Sequence, residues 1–246
     1  MDDIIRMGRI GTAQSVACVT LNRPERAHAY TVAMLEALQA RIAEIAQDPE
    51  ITGVILTATG DRAFCSGADR DEIDVRRAAD GFALLARDVF TAWQQLPMPT
   101  VAALNGIACG GGLELALACD LRICTPQARF WLPETGFGLT PAAGGMEGLH
   151  RVIGSARARE MILFGRQIDA PTALDWGLVS AVGDTVHDLA LAEMERVAER
   201  SPLATRAAKR LLNALDQDDR IDAAIRATQA ALYEHRFAQD GGAKDG

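Results

Sequence analysis

The chain has 246 residues, 49% of them hydrophobic, which is enough to bury a substantial core in one large domain, alone or with an appendage. Its 33 Asp and Glu residues outnumber its 25 Lys and Arg residues, and the formal charge of −8 argues against nonspecific binding to nucleic acid. No apolar run approaches the roughly 18 residues that would span a membrane, and the acidic first residues predict neither a signal peptide nor a transit peptide.

Strand-like and helix-like segments alternate in the first half of the chain. A strand is predicted over residues 15–21, and a helix with apolar residues at helical spacing runs from an N-cap at Thr31 to Asp48. The next segments are a short buried strand over 53–58, a long charged helix over 70–96 and a strand over 100–104. This alternation is typical of an α/β fold.

The second half of the chain becomes increasingly helical. Strand-like pieces over 121–124 and 128–132 precede helices around 157–164 and 170–176. We expect an α/β core over residues 1–188 and a helical C-terminal region over 189–246. This region is apolar on more than one face, which is typical of a helical appendage that packs against a partner subunit.

The most informative stretch is 105–120, in which Gly110, Gly111 and Gly112 lead into a helix that is apolar except for Glu114. Glycines let backbone N–H groups approach a ligand closely, and a helix start offers unpaired donors with a partial positive charge. A lone carboxyl among Leu and Ala side chains is partly desolvated, which raises its pKa and suits it to proton transfer. The stretch predicts an anion-stabilising site beside an acid/base group, and therefore an enzyme.

The five cysteines predict neither disulfides nor a metal site. Their number is odd, no CxxC pair occurs, and no Cys/His spacing suits zinc. We therefore expect reduced, buried thiols in a cytoplasmic protein. Ser66 has no glycine two residues before it and does not match a nucleophile elbow.

A series of short motifs, in a fixed order over roughly residues 10–215, resembles the crotonase superfamily, the enoyl-CoA hydratase/isomerase group. Each motif alone is weak, but the ordered set is specific for the superfamily. The principal motifs are Leu21-Asn22-Arg23-Pro24, Phe64-Cys65-Ser66-Gly67-Ala68-Asp69, Gly110-Gly111-Gly112-Leu113-Glu114, Pro133-Glu134, Arg151-Val152-Ile153-Gly154 and Ala208-Lys209-Arg210-Leu211-Leu212.

The resemblance implies an α/β fold, a crotonase-like spiral of strand-strand-helix repeats with a C-terminal helical trimerisation region. It implies a homotrimer or dimer of trimers that binds an acyl thioester of coenzyme A, which is part of the substrate, so no separate cofactor is expected. The thioester oxygen would lie between the backbone N–H groups of Ala68 and Gly111, an oxyanion hole. Substrate contacts are expected from Ala27, Ala29, Cys65, Gly67, Asp69, Arg70 and Gly110.

Glu114 and Glu134 stand where hydratases of this superfamily carry their two glutamates. Adding water across a double bond needs one base and one acid, and two carboxyls in different protonation states meet that need. We expect Glu114 to orient and deprotonate water and Glu134 to protonate the α-carbon. The predicted function is an enoyl-CoA hydratase of lipid metabolism.

Two other functions remain open from the sequence. An enoyl-CoA isomerase could shuttle a proton with Glu134 alone, although the presence of both glutamates favours hydration. A catalytically silent acyl-CoA-binding or scaffold protein could keep the fold, although the two acids and the glycine run argue against it.

Some positions depart from the common pattern of the superfamily. His28 replaces an Asn near the expected CoA entrance, and Arg70 replaces a Lys that could meet a CoA phosphate. The sequence ends before the further helix that many members carry, so the lid over the acyl group would be shorter, supplied by a neighbour or absent. The pair Arg76-Arg77 is expected on a solvated helix face.

Overall fold

The computed structural model describes residues 4–215 and 219–241. The strands are β1 (Ile5–Ile10), β2 (Val16–Leu21), β3 (Gly53–Ala58), β4 (Ala63–Cys65), β5 (Thr100–Leu104), β6 (Ile107–Cys109), β7 (Leu121–Cys124), β8 (Arg129–Trp131), β9 (Ile168–Asp169) and β10 (Ala181–Val182). The helices are α1 (Val32–Gln47), α2 (Arg70–Ile73), α3 (Ala78–Ala83), α4 (Leu85–Gln94), α5 (Gly111–Leu117), α6 (Gly145–Leu163), α7 (Ala170–Asp175), α8 (Val186–Ala198), α9 (Pro202–Leu215) and α10 (Asp219–Gly241).

Two sheets run side by side through the molecule. The large sheet has the strand order β1-β2-β3-β5-β7-β10, and the small sheet has the order β4-β6-β8-β9. The pairs β3/β4, β5/β6 and β7/β8 each place one strand in the large sheet and the next in the small sheet, in parallel with the preceding pair. This repeat is the expected spiral, and it brings the loops that follow the small-sheet strands to one place.

Helix α1 shows how local sequence fixes an element that supports this arrangement. The Thr31 hydroxyl accepts a hydrogen bond from Met34 N at 3.2 Å, which satisfies a free donor of the first turn. The buried side chains recur at helical spacing, so one face of the helix joins the core. Those side chains are Met34, Leu35, Leu38, Ile42 and Ile45.

The prediction of a single helix over 70–96 is wrong. The segment forms α2, α3 and α4, because residues 74–77 leave the helical path and Leu84 has a φ of +42° in the left-handed region. The short strands β1, β4 and β6 were also absent from the sequence prediction. Strand β1 mixes Arg and Gly with apolar residues at the edge of the large sheet, so its sequence gives little periodic signal.

The C-terminal helices have different surroundings. The domain boundary expected after residue 188 lies inside α8, whose Val186, Ala190 and Met194 are buried against the large sheet. Helix α10 packs against α3, whereas α9 keeps several leucines exposed.

Across residues 4–215 and 219–241, none of the helices is both long and apolar enough to cross a lipid bilayer.

Lys209 joins α9 to the core. Its ammonium donates to the Asp120 carboxylate at 2.6 Å and to Met98 O at 2.9 Å. The same Asp120 oxygen accepts hydrogen bonds from the backbone and side chain of Thr100 at 2.7 and 3.0 Å. Asp120 is therefore a structural hydrogen-bond acceptor that holds the start of β5.

Candidate active site

A cavity of about 610 Å³ lies where the loop after β4, the turn from β6 into α5 and the segment Glu134–Phe137 meet. Ala68, Gly111, Glu114 and Glu134 all line it. These four residues are far apart in the sequence, and the spiral brings them together because each follows a strand of the small sheet.

The N–H groups of Ala68 and Gly111, which we call the amide notch, are both available to a ligand. Tyr30 N donates to Gly67 O and Asp69 N donates to Tyr30 O, both at 2.8 Å. Because these bonds flank Ala68, its own N–H points away from Tyr30. Within residues 4–215 and 219–241, neither N–H of the notch has a hydrogen-bond acceptor.

Close approach of two backbone segments builds the amide notch. Gly67 has a φ of +96°, and a Cβ there would lie 3.3 Å from Gly111 N. A Cβ on Gly112 would collide with the Cys65 carbonyl, and one on Gly111 would collide with the Tyr30 hydroxyl. The glycine run therefore lets α5 begin directly against the loop that carries Ala68.

Glu114 is buried, with 4% of its surface exposed, but its carboxyl is well bonded. Oε1 accepts hydrogen bonds from Ala143 N and Gly145 N, both at 2.8 Å. Burial, reinforced by the charge of Glu134, raises the pKa of Glu114 to about 8. The two backbone donors oppose this rise because they stabilise the carboxylate.

Glu134 is half-buried and has a different environment. Its Oε2 is buried and has no hydrogen-bond partner in the part of the chain that the structure describes. Burial raises the pKa of Glu134 to about 7. The two glutamates titrate as a pair, so near neutral pH they hold one proton between them.

The two carboxyls differ in their hydrogen bonding. Two N–H donors stabilise the charged form of Glu114, whereas a buried oxygen without a donor in the described residues disfavours charge on Glu134. The site thus places two carboxyls in different hydrogen-bonding environments beside the amide notch.

Comparison with known proteins identifies the family. A family model described as enoyl-CoA hydratase/isomerase matches residues 11–244. The chain belongs to the enoyl-CoA hydratase/isomerase family. The short-chain-enoyl-CoA hydratase of Clostridium acetobutylicum is 36% identical over 229 residues, which are 92% of this chain and 87% of that protein.

Two further similarities support membership of the enoyl-CoA hydratase/isomerase family. YngF of Bacillus subtilis, named as an enoyl-CoA hydratase/isomerase, is 42% identical over 205 residues, 81% of this chain and 78% of YngF. A crystal structure of an enoyl-CoA hydratase from Bacillus anthracis aligns with a TM-score of 0.82 at 34% identity. That alignment covers 98% of this chain and 95% of the other, and it confirms the crotonase-like fold.

Six of the seven residues expected to contact the substrate line the cavity. They are Ala27, Ala29, Gly67, Asp69, Arg70 and Gly110. Arg70 also lies over the Phe137 ring, 4.8 Å from its centre. Asp69 has a structural role as well, because its carboxylate accepts hydrogen bonds from Asp71 N and from the Arg23 guanidinium.

Cys65 and His28 do not follow the sequence prediction. Cys65 does not line the cavity, because its side chain points into the core and its thiol donates to His28 O at 3.1 Å. His28 is 2% exposed and bridges a turn, with Nδ1 accepting from Arg23 N and Nε2 bonded to Thr59 O. Its side chain therefore links two segments of the backbone and does not line the cavity.

Sequence reasoning also missed part of the cavity wall. Arg76, expected on a solvated face, lines the cavity, and so do Tyr30, Gln229 and Tyr233. The last two come from α10, so this helix forms part of the cavity wall. No periodic signal could reveal these residues, because their meeting depends on how α10 lies across α3.

Proposed function

We propose that the chain is an enoyl-CoA hydratase that catalyses the reversible syn addition of water to a trans-2-enoyl-CoA thioester. The observation that carries this proposal is the pair of carboxyls with opposite hydrogen-bonding environments in one cavity. A hydration needs a base and an acid on the same substrate, and an isomerisation can proceed with one carboxyl. Two of the similar proteins reported above are named as enoyl-CoA hydratases, and YngF is named as a hydratase/isomerase.

The amide notch would polarise the substrate. With the thioester oxygen between the N–H groups of Ala68 and Gly111, negative charge that develops on this oxygen is stabilised as an enolate. Removing one such donor typically raises the barrier by about 2.7–4 kcal/mol. Both donors are preorganised because neither has to give up another acceptor within the described residues.

The two carboxyls would then complete the addition. The Glu114 carboxylate takes a proton from water as the water oxygen bonds to the β-carbon, and the electrons of the double bond move toward the thioester oxygen. The Glu134 carboxylic acid then protonates the α-carbon as the enolate collapses. Glu114 then holds a proton that came from the water, and the proton of Glu134 is on the α-carbon. Transfer of a proton from Glu114 to Glu134 restores the starting state.

The remaining parts of the substrate and assembly follow from the same proposal. Arg26, Arg62 and Arg70 line the cavity and can meet the phosphates of coenzyme A. Coenzyme A enters with the substrate, and the reaction needs no separate cofactor.

The exposed leucines of α9 would be covered in a homotrimer or a dimer of trimers.

A spectroscopic assay tests the proposal. Purified protein mixed with a short trans-2-enoyl-CoA should lower the absorbance of the conjugated thioester, and Glu134→Gln should slow this by about 10²–10⁴-fold. Glu44→Gln, on the exposed face of α1, is the matched control and should retain the rate. A rise in absorbance with a 3-enoyl-CoA and no hydration would instead identify an isomerase, and no change with either substrate would indicate a silent binder.

A further inference from the structure

Arg76 places a guanidinium on the cavity wall, where the charge of Glu72 helps to raise its pKa but no carboxylate of the described residues forms an ion pair with it. Its one hydrogen bond within the described residues runs from Nη1 to the Tyr233 hydroxyl at 3.1 Å. The residue is half-buried in the segment between α2 and α3 and lines the same cavity as Glu114 and Glu134. A guanidinium has five N–H donors, so most of those of Arg76 remain available.

The carboxylates near Arg76 are engaged elsewhere. Glu72 accepts a hydrogen bond from Val32 N at 2.9 Å, and Asp74 pairs with Arg236. Glu234, on the same helix as Tyr233, is held by both side-chain nitrogens of Arg77 at 3.0 Å. In the part of the chain that the structure describes, no carboxylate forms an ion pair with Arg76.

Further hydrogen-bonding groups lie on the same wall. The Oε1 of Gln229 accepts from the backbone and hydroxyl of Thr140, which leaves its amide N–H groups without an acceptor among the described residues. The Tyr30 phenol also lines the cavity, and it lies close enough to Arg76 to be influenced by its charge. Burial raises the pKa of Tyr30 well above its usual value, Glu114 adds to this rise, and Arg76 opposes it. We call Tyr30, Arg76, Gln229 and Tyr233 the polar wall.

The chemistry of the polar wall is specific. It presents one fixed positive charge and several donors to a cavity that a hydrocarbon chain would otherwise fill. Leaving a guanidinium desolvated and unpaired in contact with an alkyl chain is unfavourable. A carboxylate, by contrast, matches the planar fork of an arginine and can accept two parallel hydrogen bonds from it.

We propose that the polar wall binds an acyl group that ends in a carboxylate, so that the preferred substrate is the mono-CoA thioester of an α,β-unsaturated dicarboxylic acid. Arg76 pairs with the terminal carboxylate, and the Tyr233 hydroxyl and the Gln229 amide donate to it. This assignment rests on the proposed hydratase function, because it takes the thioester carbonyl to lie in the amide notch.

The alternative is that Arg76 only fastens α10 to the segment before α3. Arg77 provides the matched control, because it also links that segment to α10, through Glu234, but does not line the cavity. Losing a fastening residue would change all substrates alike. Losing a recognition residue would change the preference between a charged and an uncharged acyl terminus.

Binding of saturated thioesters tests the inference without requiring turnover. Calorimetry would compare hexanoyl-CoA with the mono-CoA thioester of hexanedioic acid on the full-length protein. We expect wild type to bind the carboxylate thioester more tightly, and Arg76→Met to reduce the ratio of the two affinities by at least about thirtyfold. Arg77→Met should leave this ratio unchanged, and Arg76→Lys should lower it by a smaller factor than Arg76→Met because it keeps the charge.

Each outcome bears on one proposal. A wild-type preference for hexanoyl-CoA, or an equal loss of both affinities in Arg76→Met and Arg77→Met, would overturn carboxylate recognition. If Arg76→Met does not fold, Tyr233→Phe, which removes one hydroxyl, can be used instead. It should also lower the ratio of the affinities for the carboxylate thioester and hexanoyl-CoA. Normal carboxylate binding with no hydration of the matching trans-2-enoyl thioester would overturn the hydratase function and leave recognition standing.

Discussion

Glu114 Oε1 lies 2.8 Å from the nitrogen of Gly145, at the start of α6, and this bond stabilises the charged form of a carboxyl whose pKa burial raises. Ala143 N makes a second bond of equal length to the same oxygen. Glu134 has no such support on its buried Oε2 within the described residues. The proposed division of labour between base and acid depends on this asymmetry.

The pH dependence of catalysis should reflect the shared proton. The reactive state holds one proton on the pair, so kcat/KM should rise as the first proton leaves and fall as the second leaves. With pKa values of about 7 and about 8, we expect a bell-shaped profile with its maximum between these values. Measuring kcat/KM from pH 5.5 to 9.5 checks this, and a flat profile across that range would contradict the shared proton.

The same groups should make stability depend on pH. Both carboxyls have higher pKa values in the folded protein than in the unfolded chain, so the folded state binds their protons more tightly. Their contribution to the free energy of unfolding is therefore fully present below about pH 4.5 and is lost as the pH rises toward about 8. The double variant Glu114→Gln/Glu134→Gln lacks this loss, and its Tm advantage over wild type should grow between pH 6 and pH 9. An advantage that stays constant would show that the buried pair is not ionising.

The amide notch should be sensitive to a single methyl group. Gly111→Ala keeps the N–H but forces its Cβ against the Tyr30 hydroxyl, which displaces the start of α5. Misplacing one oxyanion donor should lower kcat by about 10²–10³-fold. Adding Tyr30→Ala removes the hydroxyl and the two ring carbons that would lie within 2.8 Å of this Cβ, and it should restore part of the rate. If the double variant is no faster than Gly111→Ala in a steady-state assay, this collision is not the cause.

The link between Lys209 and Asp120 should be a stability determinant. Lys209→Met removes a charged donor that is 5% exposed. Among the described residues it leaves the Asp120 carboxylate with its Thr100 bonds alone, so we expect a loss of about 1–3 kcal/mol in the free energy of unfolding. Urea unfolding measures this loss. Arg210→Met, on an exposed position of the same helix, is the control and should cost less than about 0.5 kcal/mol.

The exposed leucines of α9 should determine assembly. Leu211 and Leu215 are 65% and 83% exposed in the single chain, which is more apolar surface than a helix normally leaves in water. Changing both to Glu should convert a trimer or hexamer to monomers in light scattering after gel filtration. Ala40→Glu, on the exposed face of α1, adds the same kind of charge and should leave the mass unchanged. A wild-type protein that is already monomeric would refute the proposed assembly.

Much of the fold could be predicted from sequence because its long elements carry strong local signals. Strand β3 has the predicted bounds, and α1 begins and ends where its N-cap Thr31 and the Asp48-Pro49 stop indicate. The segment 70–96 misled the prediction because its charged residues suit a helix, whereas contacts with α10 bend it into three pieces. Leu84 in a left-handed conformation has no local signal at all.

The site was predictable to the extent that it consists of motifs. The residues of the amide notch and both glutamates lie within contiguous motifs, and the fold brings them together as the resemblance implies. Arg76 and His28 could not be placed correctly, since their burial depends on partners more than 30 residues away in the sequence, Tyr233 for one and Thr59 for the other. A side chain whose environment comes from distant elements is the kind that local patterns misassign.

Because α10 lies late in the sequence, part of the cavity wall is translated after the reactive residues. The amide notch and both glutamates have been translated by residue 134, but Lys209, Gln229 and Tyr233 are translated 75 to 99 residues later. A nascent chain of 200 residues therefore contains both glutamates. It lacks the Lys209–Asp120 bond and the residues of α10 that line the cavity. The last stretch of translation thus completes the site, so chains truncated before α10 would keep the reactive carboxyls without the wall that is proposed to select a substrate.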